Sequence, residues 1–149
     1  MCIRDRYDVA KNEIFWAETG RGCWLENRKL RVAARTQMAE ACVATGTPWL
    51  GKSEGEHLTF LKEIAAMTPT VAGIRRYGSA ALDLAYVAAG RFDGFWERGL
   101  KPWDIAAGIV LVREAGGMVT EIDGGDLLET GSVLAGNPLH PKLEKQLRC

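Results

Sequence analysis

Glu97-Arg98-Gly99-Leu100-Lys101-Pro102-Trp103-Asp104-Ile105-Ala106-Ala107-Gly108, continued through residues 109–117, decides how the rest of this chain is read. Pro102 pushes the residue before it out of helical backbone, so a helix begins here, with Asp104 at or just inside its start. The carboxylate lies beside amides that have no intrahelical partner and is held there by capping and by the helix dipole. Ala106, Ala107 and Gly108 carry almost no side chain, which lets the helix press against a neighbouring backbone, and Gly116-Gly117 closes it. A fixed acid on a tightly docked helix can hold a cation; the same residue also serves as a plain cap.

The residues upstream feed this helix. Arg91-Phe92-Asp93-Gly94-Phe95-Trp96 alternates as a strand, and Glu97 stands at its end, so Glu97 and Asp104 come from adjacent element ends and can converge on one cleft. Residues 71–76 read as another strand running into Gly78-Ser79. Ser79 is placed to cap a helix whose Ala80, Ala81, Leu84, Ala85, Val87 and Ala88 form a small-residue apolar face up to Gly90. Gly78 permits close approach to the backbone, by a ligand or by packing alone. Asp83 lies one turn inside this helix, a candidate supporting or interface group.

The run over residues 75–117, with Tyr77-Gly78-Ser79-Ala80-Ala81-Leu82-Asp83-Leu84-Ala85 and then Leu100-Lys101-Pro102-Trp103-Asp104-Ile105-Ala106-Ala107-Gly108, resembles the carboxy-terminal half of the inositol monophosphatase family, its bacterial members above all. The resemblance implies the second half of a layered αβαβα sandwich. It implies magnesium-dependent hydrolysis of a phosphate monoester, inositol monophosphate or a related sugar phosphate. Gly78, Ser79 and Ala80 are then expected along the polyol part of the substrate, Glu97 on its hydroxyls, and Asp104 on both a Mg2+ ion and the substrate. The family's spacing between the two acids matches. Lys101 is either a phosphate contact or a solvated charge.

Magnesium takes about six oxygen ligands, so one aspartate does not suffice. The family supplies the others from a Gly-Glu-Glu run and an Asp-Pro-x-Asp-Gly-Thr run, and residues 1–76 contain neither; Asp5, Asp8, Glu13 and Glu18 lack the spacing and context. The expectation is therefore that this chain carries the substrate side of a cleft and one metal ligand, and is inactive alone. The longer parent is expected to be a homodimer. Sister phosphatases acting on nucleotide 3′,5′-bisphosphates, fructose 1,6-bisphosphate or histidinol phosphate are an alternative, as is a non-catalytic binding or assembly module.

The amino-terminal part reads as strand and turn. Residues 1–6 fit neither pattern and suggest a disordered leader outside the resemblance, which starts at about Tyr7. Ile14-Phe15-Trp16-Ala17, Cys23-Trp24-Leu25 and Leu30-Arg31-Val32 form an antiparallel meander joined at Gly20-Arg21-Gly22 and Glu26-Asn27-Arg28, with Trp16 and Trp24 packing residues. Residues 41–46 suit a buried strand. Over residues 53–67, Leu58, Leu61, Ile64 and Ala65 predict one buried helix face, with Lys62 and Glu63 in water. After Gly117 come a strand at 118–122, a short buried strand at 133–136, and a last helix turning Leu143 and Leu147 inward.

Composition narrows the class. With 149 residues and 47% hydrophobic content the chain has enough for one real core. Nineteen basic and nineteen acidic residues give no electrostatic case for nucleic acid or an anionic membrane. Cys2, Cys23, Cys42 and Cys149 show neither metal-ligand nor disulfide spacing. No signal-like or spanning apolar run occurs, so a cytoplasmic protein with a small-molecule substrate is expected.

Overall fold

Residues 3–148 are described by the computed structural model; Met1, Cys2 and Cys149 lie outside them. Four strands open the chain: β1 (Ile3–Asp8), β2 (Glu13–Glu18), β3 (Gly22–Leu25) and β4 (Arg28–Leu30). They pair in sequence order as the expected antiparallel meander. The expectation of disorder at the start is corrected for residues 3–6, which pair with β2 from Ile3↔Glu18 to Asp8↔Glu13. The hairpin turn explains this: the Asp8 carboxylate accepts the Ala10 and Lys11 amides, and Asn12 takes a positive φ of 53°.

A second sheet combines β5 (Cys42–Thr45), β6 (Gly73–Arg75), β7 (Gly94–Glu97), β8 (Met118–Glu121) and β9 (Val133–Gly136) in the order β6-β5-β7-β9-β8. Its first three strands are parallel, and β9 runs antiparallel to both neighbours. Helices α1 (Glu54–Met67), α2 (Ala80–Ala88), α3 (Pro102–Glu114), α4 (Leu127–Thr130) and α5 (His140–Leu147) complete the fold. The α2/α3 pair lies between the two sheets, and α1 with α5 covers the far face of the second. Among the described residues this gives four layers, meander, helices, mixed sheet, helices, within the layered α/β class expected.

Burial follows the layers. Phe15, Leu84, Phe95, Ile105 and Leu111 fill the space around α2 and α3, while Val43, Met67, Trp96, Leu139 and Leu143 fill the space under α1 and α5. Gly108 is where α3 meets α2: a β-carbon there would lie 2.4 Å from Leu84 Cδ1. Leu143 and Leu147 point inward as predicted. No helix among the described residues is long and apolar enough to cross a membrane. Cys23 and Cys42 are free thiols.

Helix α1 departs from the sequence reading. Leu58 and Leu61 are 50% and 58% exposed, and Ala65 is also exposed, whereas Glu63 is 5% exposed. The inward stripe is buried Glu63 and Met67 with partly buried Phe60 and Ile64, so that of the expected face Ile64 alone turns inward. Glu63 is accepted there because its carboxylate receives the Trp96 indole N–H at 3.1 Å and the Arg98 Nε–H at 2.6 Å.

Candidate active site

Because β5, β6 and β7 are parallel, their carboxyl ends open on one side of the sheet, where the connecting loops gather. The loops after β5 and β7, the first turns of α1 and the start of α3 enclose a cleft of about 900 Å³. Thr47, Trp49, Lys52, Glu97, Lys101 and Asp104 are among its walls, so the structure brings Glu97 and Asp104 together.

Asp104 sits in the first turn of α3, where Pro102 starts the helix. Its Oδ2 accepts the Lys101 amide at 3.1 Å, and its own amide donates to the Lys101 carbonyl at 2.9 Å. It is half-buried, and one carboxylate oxygen is engaged by this cap. The loop leading to it is pinned from the opposite wall: the Leu100 amide donates to the Gly131 carbonyl at 3.0 Å. Gly131 has a φ of 65°, and a β-carbon there would lie 1.8 Å from the Leu100 oxygen, so no other residue fits.

Glu97 ends β7. Alternation along the strand places it on the face of Phe95, toward α2 and α3, and Gly46 at the end of β5 leaves the room its carboxylate fills. Burial pushes its carboxyl up to about 7, and the charges of Asp83 and Asp104 push the same way against Arg76. Asp83 stands behind it on α2, 1% exposed, with neither carboxylate oxygen hydrogen-bonded among the described residues. Burial pushes this carboxyl too up to about 7, opposed by Arg76. Glu97 and Asp104 thus face one cleft, with Asp83 buried behind Glu97.

Gly78, Ser79 and Ala80 do not line this cleft. Ala80 packs into the core, Gly78 lies against the Arg76 side chain with a φ of 85°, and Ser79, at the N-cap position, makes no side-chain capping bond. Helix α2 reaches Glu97 through Asp83, whose charge acts on the Glu97 carboxyl. Lys101 is exposed on the cleft wall, while Lys52 is engaged with Glu56 at 2.7 Å.

Among the described residues no group of three or more His, Cys, Asp or Glu side chains is placed to hold a metal ion. The free oxygen of Asp104 and the carboxylate of Glu97 do not build the shell of about six oxygens that magnesium takes, so these residues alone do not fit the ion. Sequence reasoning missed Gly46, Glu63 and Gly131. Gly46, directly after a buried strand, carried a usable signal; Glu63 and Gly131 become visible only when distant elements meet.

The sequence profile described as "Inositol monophosphatase family" matches residues 7–149. An inositol-1-monophosphatase of Mesorhizobium japonicum is 53% identical over 132 residues, covering 88% of this chain and 49% of that protein. A protein of Escherichia coli strain K12 named Nus factor SuhB is 47% identical over 133 residues, 89% of this chain and 49% of its own length. The crystal structure of the extragenic suppressor protein suhB from Bartonella henselae superposes with a TM-score of 0.93 at 47% identity, over 98% of this chain and 57% of that one. The chain spans about half the length of the curated relatives it matches.

Proposed function

The chain belongs to the inositol monophosphatase family, and from that premise we propose that it carries the polyol-binding side of a cleft that hydrolyses a phosphate monoester, inositol monophosphate or a related sugar phosphate. The observation that carries this reading is the convergence of Glu97 and Asp104 on one cleft at the carboxyl ends of parallel strands. Glu97, half-buried and without a donor among the described residues, is suited to accept hydrogen bonds from substrate hydroxyls once it is ionised. Asp104, fixed by its helix, is suited to share a cation whose other oxygen ligands come from outside these residues. Magnesium is the ion proposed, and the 149 residues alone are proposed to be inactive.

The test separates the two acids in the chain joined to the portion of the Mesorhizobium japonicum relative that it does not span. Glu97→Gln should weaken binding of myo-inositol, followed by NMR titration, while leaving magnesium affinity in the presence of phosphate near that of the parent. Asp104→Asn should do the reverse, and equal loss of both in each variant would contradict the assignment.

A second reading has a specific observation behind it: one 47% identical relative is named a Nus factor. On this reading the fold is a binding or assembly module. Calorimetry on that joined protein distinguishes the two, since a module of this kind shows no affinity for myo-inositol and no phosphate affinity linked to magnesium.

A further inference from the structure

Alternation along β7 places Phe95 and Trp96 on opposite faces of the sheet, Phe95 in the core shared with α2 and α3 and Trp96 in the core beneath α1 and α5. Glu97 therefore shares the Phe95 face, and Arg98, just past the strand end, returns to the Trp96 side. On that side stands Glu63 of α1. One of its carboxylate oxygens accepts the Arg98 Nε–H at 2.6 Å and the other accepts the Trp96 Nε1–H at 3.1 Å.

We infer that Glu63 is a positioning residue for Glu97: from α1 it grips both chain neighbours of Glu97 and so turns the Glu97 carboxylate into the cleft.

Three further observations support the clamp. Thr45 Oγ1 donates to the Trp96 carbonyl at 2.8 Å, tying the same strand end to β5. The remaining Arg98 nitrogens are held by Asp123, beyond β8, so the guanidinium next to Glu97 in sequence is spent on two other carboxylates. Among the described residues no donor hydrogen-bonds Glu97 itself. A buried carboxylate with two charge-assisted or indole donors is costly to form and costly to break, so it fixes a geometry more than it adds stability. All three residues that Glu63 governs, Trp96, Glu97 and Arg98, line the cleft. The inference rests on the reading of Glu97 as the polyol contact.

The experiment is a double-mutant cycle in the full 149-residue chain. Myo-inositol affinity is measured by NMR titration for the parent, Glu63→Gln, Glu97→Gln and the double variant. The expected result is that Glu63→Gln weakens binding roughly tenfold in the parent background and by less than about twofold when Glu97 is already replaced, because the effect passes through Glu97. Equal losses in both backgrounds, or no loss in the first, overturn the inference.

Asp123→Asn, which frees the exposed half of the Arg98 guanidinium, is read in the same way should Glu63→Gln fail to fold. If the parent binds no myo-inositol, the proposed function fails, and the clamp is then decided by the carboxyl 13C resonance of Glu97. That resonance moves in Glu63→Gln if the clamp holds it and stays in place if the inference is wrong.

Discussion

The Glu97 side chain occupies the space that a β-carbon would take on Gly46, its carboxyl carbon lying 1.9 Å from where that atom would stand. Gly46 directly follows β5 and Glu97 ends its parallel neighbour β7, so the absence of one side chain lets the other lie flat across the strand end. An alanine at position 46 meets the flexible tip of a glutamate first, and that clash is relieved by moving the carboxylate away.

Gly46→Ala should therefore separate stability from binding. Urea unfolding is expected to shift by no more than about 1 kcal/mol, in the ordinary range for a tolerated substitution. Myo-inositol affinity should fall about tenfold, a change of about 1.4 kcal/mol. A variant that unfolds far more easily yet binds like the parent would show that Glu97 is not the contact.

Stability should depend on pH through Asp83. Its carboxyl is pushed from 3.8 in the open chain to about 7 in the fold by burial, so between these values the folded chain keeps a proton that the unfolded chain releases. The unfolded state then binds fewer protons, and stability falls as pH rises from 3.8 to about 7 and levels off above it. Glu97, also pushed up to about 7 by burial first, adds to the same slope. Asp83→Asn removes the larger share. It should be more stable than the parent at pH 8 by up to about 4 kcal/mol, at about 1.4 kcal/mol per pH unit, and close to the parent near pH 4. An unchanged slope in urea unfolding would mean that the carboxyl is ionised where it is buried.

The two stripes of α1 give a third expectation. Leu58→Ser and Leu61→Ser, on the exposed side, should change unfolding free energy by no more than about 0.5 kcal/mol. Met67→Ala, fully buried, should cost about 2–5 kcal/mol. Large losses for the two leucines and a small one for the methionine would restore the face expected from sequence.

How much was legible in the chain divides along the distance between interacting residues. The start of α3, the placement of Asp104 and the strand ending at Glu97 are written in neighbouring residues, in Pro102, the alanine-glycine run and the alternation before Glu97, and the structure reproduces them. The first half of strand β1 is not legible locally, because residues 3–6 carry no pattern of their own and take their conformation from β2. The rotation of helix α1 is not written locally, because two stripes overlap and the choice between them is made by Trp96 and Arg98 some thirty residues away, which give Glu63 a reason to be buried. Ala80, expected along the substrate from the resemblance, packs with α2 into the core, a contact that no neighbouring residue in the sequence announces.

The central claim is that these residues form one side of a phosphatase cleft and need donors from elsewhere. It is tested most directly by phosphate release from inositol 1-phosphate with magnesium, measured for the chain alone and for the chain joined to the portion of the Mesorhizobium japonicum relative that it does not span. The account predicts no release above background by the chain alone, turnover by the joined protein, and loss of that turnover by at least about a hundredfold in Asp104→Asn. Robust turnover by the chain alone, abolished by Asp104→Asn, would contradict it.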